Sequence, residues 1–215
     1  MHIKGVIFDL DGTLLDSLGD VADFANTVLA KFGFAARDKM EYRYLAGQGA
    51  YNLMAASSKS SDDELIALMA KEFALVYEHS NGNSKGYDGM NEVLSVLEAK
   101  AIPKAVLSNK PEHLTKACVL KYFGNFNFDA VCGQREGVAV KPNPDLAFEI
   151  ADIFVLKPCE IAIIGDSKND VLTAKNGGFY AIGVTWGFRD EDELVQNGAD
   201  AIAKEPMEII GLLGL

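Results

Sequence analysis

Within the first fifteen residues, Val6-Ile7-Phe8-Asp9-Leu10-Asp11-Gly12-Thr13-Leu14-Leu15 sets an apolar run directly before two carboxylates, a glycine and a hydroxyl. A short, continuously apolar run suits a strand covered on both faces, as in a parallel sheet. In open sheets of that kind, ligands bind beyond the carboxyl ends of the strands. The stretch therefore predicts a strand that delivers Asp9 and Asp11 to the rim of a pocket. Two acids at such a rim call for a cation, an anion anchor and further carboxylates from elsewhere in the chain.

The pattern then turns helical. Ser17, with Asp20 three residues on, reads as a helix cap, and Val21, Phe24, Ala25, Val28, Leu29 and Phe32 follow at helical spacing up to Gly33. A second segment carries Tyr42, Tyr44 and Leu45 and breaks at Gly47-Gln48-Gly49, and a third carries Leu53 and Met54. Ser61-Asp62-Asp63-Glu64 is a capping-box signature for an amphipathic helix through Leu65, Leu68, Met69, Phe73 and Val76. Asn81-Gly82-Asn83-Ser84 is a loop by composition. A strand-free block here predicts an inserted helical unit over residues 16–86, with residues 1–15 and 87–215 forming the main domain.

From Tyr87 strands and helices alternate. Strands are expected over 103–107, 128–132, 161–164 and 180–184, with a short edge strand at 200–202. Helices are expected around 93–97, 114–120, 146–153, 170–175 and 207–213. Asn143-Pro144 suits an N-cap and first helical position. Repeated strand–helix units predict an α/β fold, a Rossmann-like parallel sheet with helices on both faces and right-handed crossovers.

A formal net charge of -11 over 215 residues disfavours nonspecific binding to nucleic acid or an anionic membrane. It does not exclude an anionic substrate, since a bound cation and one lysine invert the local field. Cys118, Cys132 and Cys159 stand singly, without the spacing of a zinc site or a disulfide framework. His2, His79 and His113 show no ligand spacing either. No apolar run approaches the ~18 residues of a membrane span and no signal-like segment opens the chain. The expectation is a soluble, cytoplasmic monomer or homodimer.

Each informative polar cluster falls after a predicted strand. Ser108-Asn109 follow Ala105-Val106-Leu107, Asp166 follows Ile161 to Gly165 with Asp170 one turn on, and Lys141 sits in Val140-Lys141-Pro142-Asn143-Pro144 before a helix. In a parallel sheet these ends meet on one edge. Several carboxylates without histidine or thiolate favour a hard cation, most simply Mg²⁺. Lys141 and Ser108 would hold phosphoryl oxygens, so the set suits phosphoryl transfer to a carboxylate nucleophile. Asp9 would attack phosphorus and Asp11 would shuttle the proton. Asp170 has a helix cap as its lesser reading, and Asn109 reads equally as a substrate contact or as a residue that orients its loop.

Phe8-Asp9-Leu10-Asp11-Gly12-Thr13-Leu14, Leu107-Ser108-Asn109, Lys141-Pro142 and Gly165-Asp166-Ser167-Lys168-Asn169-Asp170 resemble, in order, the four motifs of the haloacid dehalogenase-like hydrolase superfamily. The resemblance implies a small helical cap inserted after the first motif. It implies Asp9 as nucleophile and Asp11 as general acid/base. It also implies Mg²⁺ held by Asp9, the Asp11 carbonyl and Asp166, with Asp170 a ligand or just behind one. Ser108-Asn109-Lys110-Pro111 and Gly183-Val184-Thr185-Trp186-Gly187, followed by Gly198-Ala199-Asp200, look like phosphoglycolate phosphatases. Small phosphomonoesters such as 2-phosphoglycolate are then the expected substrates, with cap residues Arg43 and Gly49 near the leaving group. Pyrophosphatases and a phosphosugar mutase resembling beta-phosphoglucomutase share much of this pattern, and a non-catalytic phosphate- or metal-binding module is a further reading.

Overall fold

The computed structural model describes residues 3–80 and 82–215. The readings of His2 as incidental and of Asn81 as loop fall outside them. The chain begins with strand β1 (Gly5–Phe8) and the short strand β2 (Leu15–Asp16). Four helices follow, α1 (Leu18–Lys31), α2 (Tyr42–Leu45), α3 (Gly49–Ser58) and α4 (Asp63–His79), before β3 (Lys85–Gly86). Alternation then sets in: α5 (Met90–Ala99), β4 (Lys104–Pro111), α6 (Glu112–Phe123), β5 (Ala130–Gln134), α7 (Asp145–Phe154), β6 (Ile161–Gly165) and α8 (Lys168–Gly177). The chain closes with β7 (Tyr180–Val184), α9 (Glu191–Gln196), β8 (Ala201–Ala203) and α10 (Glu208–Leu213).

Six strands form one parallel sheet in the order β5-β4-β1-β6-β7-β8. Strand β1 lies at its centre, with Phe8 level with Val106 on one side and Ile164 on the other. Alternate residues of a strand face opposite sides, and here both sides are apolar. Val6 and Phe8 join a core with Leu94 of α5, Val119 of α6 and Ile209 of α10. Ile7 joins a second core with Ile150 of α7, Val171 of α8 and Leu194 of α9. Helices thus cover both faces, as the continuous apolarity of β1 requires.

Helices α1 to α4 have an apolar cluster of their own, built on Val28, Tyr42, Met54, Met69 and Phe73. Phe188, from the loop after β7, inserts into it and ties the helical segment to the sheet. The expected strand-free block holds between Leu18 and His79, but a ribbon forms at its base. Leu15 pairs with Gly86 and Asp16 with Lys85, antiparallel.

Three local expectations are corrected. Ser17 flanks α1 without capping it: its oxygen accepts no first-turn N–H, and its hydroxyl donates to the Asp11 carboxylate at 2.6 Å. Asp20 makes no capping box; it accepts from the backbone N–H groups of Asn83 (2.7 Å) and Ser84 (2.9 Å) and from the Ser84 hydroxyl. It pins the start of α1 to the returning chain. Helix α4 is capped by Asp62, not Ser61, through the Leu65 N–H at 3.0 Å. Strand β4 also outruns its expected end, carrying on irregularly through Ser108, Asn109 and Lys110 to Pro111.

Candidate active site

The carboxyl ends of β4, β1 and β6 stand side by side, so the residues after them share one cleft. Its core wall includes Asp9, Asp11, Ser108, Lys110 and Lys141, and the cavity volume is about 60 Å³. Asp9 continues β1, its N–H donating to the Ile164 carbonyl at 2.9 Å. The chain then folds into a tight loop in which the Leu14 and Leu15 N–H groups both donate to the Leu10 carbonyl. Gly12 makes that loop possible. Its φ is +89°, and a Cβ there would stand 2.3 Å from the Asp166 carboxylate.

Lys141 is buried among carboxylates. Its ammonium donates to Asp9 Oδ1 (2.8 Å), Asp170 Oδ1 (2.6 Å) and the Leu107 carbonyl (2.8 Å). All three N–H bonds are used. Asn109 fixes the Lys141 backbone from both sides: its Oδ1 accepts the Lys141 N–H at 2.9 Å and its Nδ2 donates to the Lys141 carbonyl at 3.1 Å. The same Nδ2 reaches the Gly47 carbonyl at 3.1 Å. Asn109 lines the cleft and, in keeping with the loop-orienting reading, brackets the lysine loop and the helical segment.

Asp170 caps its helix and pairs with Lys141 as well. Oδ2 accepts from the Ser167 N–H (3.1 Å) and hydroxyl (2.7 Å), closing a capping box on α8, while Oδ1 meets Lys141. Asp166 Oδ2 accepts the Phe188 N–H at 2.6 Å. Its Oδ1 has only a long contact from the Thr13 hydroxyl at 3.4 Å. Trp186 is a contact residue, its Nε1–H donating to the Thr13 carbonyl at 3.0 Å.

Asp9, Asp166 and Asp170 are all buried and offer carboxylate oxygens within 4.8 Å of one another. Burial, with repulsion from Asp170, pushes the Asp166 carboxyl up to about 7 despite the Phe188 N–H. Asp9 is raised well above its ordinary range too, by burial first, with Lys141 opposing and the two neighbouring acids adding. Burial alone would lower Lys141, but Asp170 and Asp9 outweigh it and hold the ammonium firmly charged. Three carboxylates with one ammonium leave a local charge deficit. An all-oxygen donor set of that charge fits a hard divalent cation.

The Asp11 carboxylate stands apart from this group. It is gripped by Lys110, whose ammonium donates to Oδ1 (2.7 Å) and Oδ2 (2.8 Å), and by Ser17. The third N–H of Lys110 goes to the Tyr77 hydroxyl of α4 at 2.9 Å. Lys110 was not among the expected site residues. The signals available were its place in Ser108-Asn109-Lys110-Pro111 and its position two residues after Ser108, where an unbroken strand would keep it on the same face. Ser108 itself is buried, its Oγ accepting the Lys110 N–H at 3.2 Å.

Gly49 lines the cleft as expected, but Arg43 does not. Arg43 Nε donates to the Phe188 carbonyl at 2.9 Å and its guanidinium meets Asp190 at 3.3 Å. It clasps the helical segment to the loop after β7. Among the described residues, no helix is long and apolar enough to cross a membrane.

Comparison with known proteins agrees with this geometry. The family model for haloacid dehalogenase-like hydrolases matches residues 6–184. The phosphoglycolate phosphatase of Vibrio parahaemolyticus is 31% identical, over 99% of this chain and 97% of its own. That of Pasteurella multocida is 30% identical over 99% of both chains. The crystal structure of "a predicted phosphatase from Clostridium acetobutylicum" superposes with a TM-score of 0.90 at 26% identity, covering 100% of each chain. A central strand ending in Asp9 and Asp11, with Lys141, Asp166 and Asp170 gathered around it, is thus found on a chain that belongs to the haloacid dehalogenase-like hydrolases.

Proposed function

We propose that this protein is a Mg²⁺-dependent phosphatase acting on a small phosphomonoester, with 2-phosphoglycolate or a close analogue as substrate. The observation that carries the reading is the Asp9 carboxylate, set at the cleft with one oxygen tied to Lys141 and the other untied among the described residues. The relatives named phosphoglycolate phosphatase support the substrate.

In this reading a Mg²⁺ ion held by Asp9, Asp166 and the Asp11 carbonyl, with Asp170 behind, supplies positive charge to the phosphoryl oxygens. The chain's own groups do the rest. Lys141 fixes the rotation of Asp9, so that its untied oxygen attacks phosphorus and forms an aspartyl phosphate. The Ser108 hydroxyl, whose oxygen already accepts from Lys110, directs its hydrogen at a phosphoryl oxygen. Asp11 passes a proton to the leaving oxygen and later takes one from the water that hydrolyses the intermediate. Residues 16–86 act as the cap that closes over these steps and keeps bulk water out.

A panel of 2-phosphoglycolate, pyrophosphate and sugar phosphates, assayed for free phosphate with Mg²⁺ and with EDTA, tests this. Release from a monoester with Mg²⁺, lost with EDTA, is expected. Conversion of a hexose phosphate to its isomer without free phosphate would replace the phosphatase by a mutase.

The raised carboxyls give a second test. An acid lifted from 3.8 to about 7 by folding keeps, between those values, a proton that the unfolded chain has released. Stability without metal therefore falls as pH rises through that window. Cation binding favours the ionised form and cancels the loss. Added Mg²⁺ should raise the melting temperature more at pH 8 than at pH 5.5, and an equal rise at both would show that these acids do not bind it.

A further inference from the structure

The helical wall of the cleft is sparing in polar groups. Val21, Ala46, Ala50, Leu53 and Phe73 form most of it. A polyol leaving group would lose its water there without gaining hydrogen bonds, at a cost for each hydroxyl. The small cavity adds a size limit.

Against that wall, one corner is strongly polar. Lys110 and Lys141 are the cations lining the cleft among the described residues, and Lys141 is fully engaged with Asp9, Asp170 and the Leu107 carbonyl. Lys110 spends two of its N–H bonds on a single carboxylate, that of Asp11. Beside it the Tyr77 hydroxyl accepts from Lys110, and its own hydrogen goes to no acceptor found among the described residues. Burial holds this phenol protonated well above its ordinary range. The Lys110 ammonium and the Tyr77 O–H are thus two neighbouring donors, of which Lys110 holds a carboxylate and Tyr77 has none.

We propose that Lys110, with Tyr77, is the anchor for a carboxylate on the leaving group, which takes the place of the Asp11 carboxylate when substrate binds. The inference rests on the phosphatase reading and narrows it to small phosphomonoesters of hydroxy acids. Exchange of one carboxylate for another keeps the buried ammonium paired throughout. It also releases Asp11, left with Ser17 as partner, to face the bridging oxygen. Asp11, once released, takes up a proton from solvent and passes it to that oxygen as its bond to phosphorus breaks and the bond from Asp9 to phosphorus forms. Lys110 neither gains nor loses a proton.

The experiment compares 2-phosphoglycolate with ethyl phosphate, which has the same chain length and no carboxylate, in the wild type, Lys110→Met and Tyr77→Phe. The wild type is expected to favour phosphoglycolate in kcat/KM. Lys110→Met is expected to shrink that preference by about 30-fold, chiefly through KM for phosphoglycolate, because a site built for a charged group rejects analogues lacking it. Tyr77→Phe, which removes one hydroxyl and keeps the ring, is expected to shrink it by about fivefold, and Lys110→Arg to restore part of it. An equal fall on both substrates in Lys110→Met and Tyr77→Phe would overturn the proposal and leave Lys110 as a holder of Asp11. Equal wild-type activity on the two esters would overturn it while leaving the phosphatase reading intact. Activity on neither would remove both.

Discussion

Asp9→Asn is expected to abolish phosphate release, lowering kcat by roughly 10⁴-fold or more at every Mg²⁺ concentration. Asparagine keeps the shape of the side chain and an oxygen that still accepts from Lys141, so the loop and the sheet edge have no reason to move. It lacks the free electron pair on an ionised oxygen with which Asp9 would attack phosphorus. The substitution also removes one of three buried, mutually repelling carboxylates, whose burial and neighbours raise Asp9 in the first place. Without metal the variant should therefore melt no lower than the wild type. A dead enzyme that remains stable separates lost chemistry from lost structure. A variant that keeps most of its rate would remove Asp9 from the nucleophile's role and the covalent intermediate with it.

Lys141→Met is expected to act on the fold as well as on the rate. Methionine fills a similar volume but brings no charge, and the ammonium it replaces is bonded to two buried acids and a carbonyl. Breaking a buried ion pair from one side costs about 3–5 kcal/mol, because the partner charge is stranded. For a chain of this size that lowers the melting temperature by about 10 °C. The loss should be larger at pH 8 than at pH 5.5, because burial raises Asp9 above its ordinary range and lower pH favours its uncharged form. Thermal melts at the two pH values without metal measure this. Melting unchanged at pH 8 would mean that Lys141 does not balance the cluster.

The sheet was legible because its strands are apolar on both faces and end in chemically distinct clusters: Ile7 and Phe8 before Asp9, and Ile163 and Ile164 before Asp166. Strand order was not, since nothing in a run such as Ala105-Val106-Leu107 tells which neighbour it will pair with. Lys141 and Asp170 could be placed near each other, yet not that Asp170 would serve as both helix cap and ion partner. Hydroxyls misled. Ser17 and Ser61 have the local spacing of caps, but Ser17 turns to a partner outside its helix, Asp11, and beside Ser61 the neighbouring Asp62 takes the cap. Lys110 stayed hidden for a related reason. A lysine before a proline reads as surface unless β4 is known to continue through it, and its partners Asp11 and Tyr77 lie 99 and 33 residues away. Arg43 looked free for a ligand because its real acceptors, the Phe188 carbonyl and Asp190, are distant in sequence.

The ribbon of Leu15–Asp16 against Lys85–Gly86 has a consequence for how such a chain can vary. Paired residues of an antiparallel ribbon sit about 5 Å apart, so the polypeptide leaves the sheet and returns to it at almost one point. Everything between is spliced in like a cassette, and its length is of no concern to the strands on either side. Helices there can be lengthened, exchanged or remodelled while Asp9, Lys141 and Asp166 keep their places. One reaction centre can in this way be fitted with many different lids, each choosing a different leaving group.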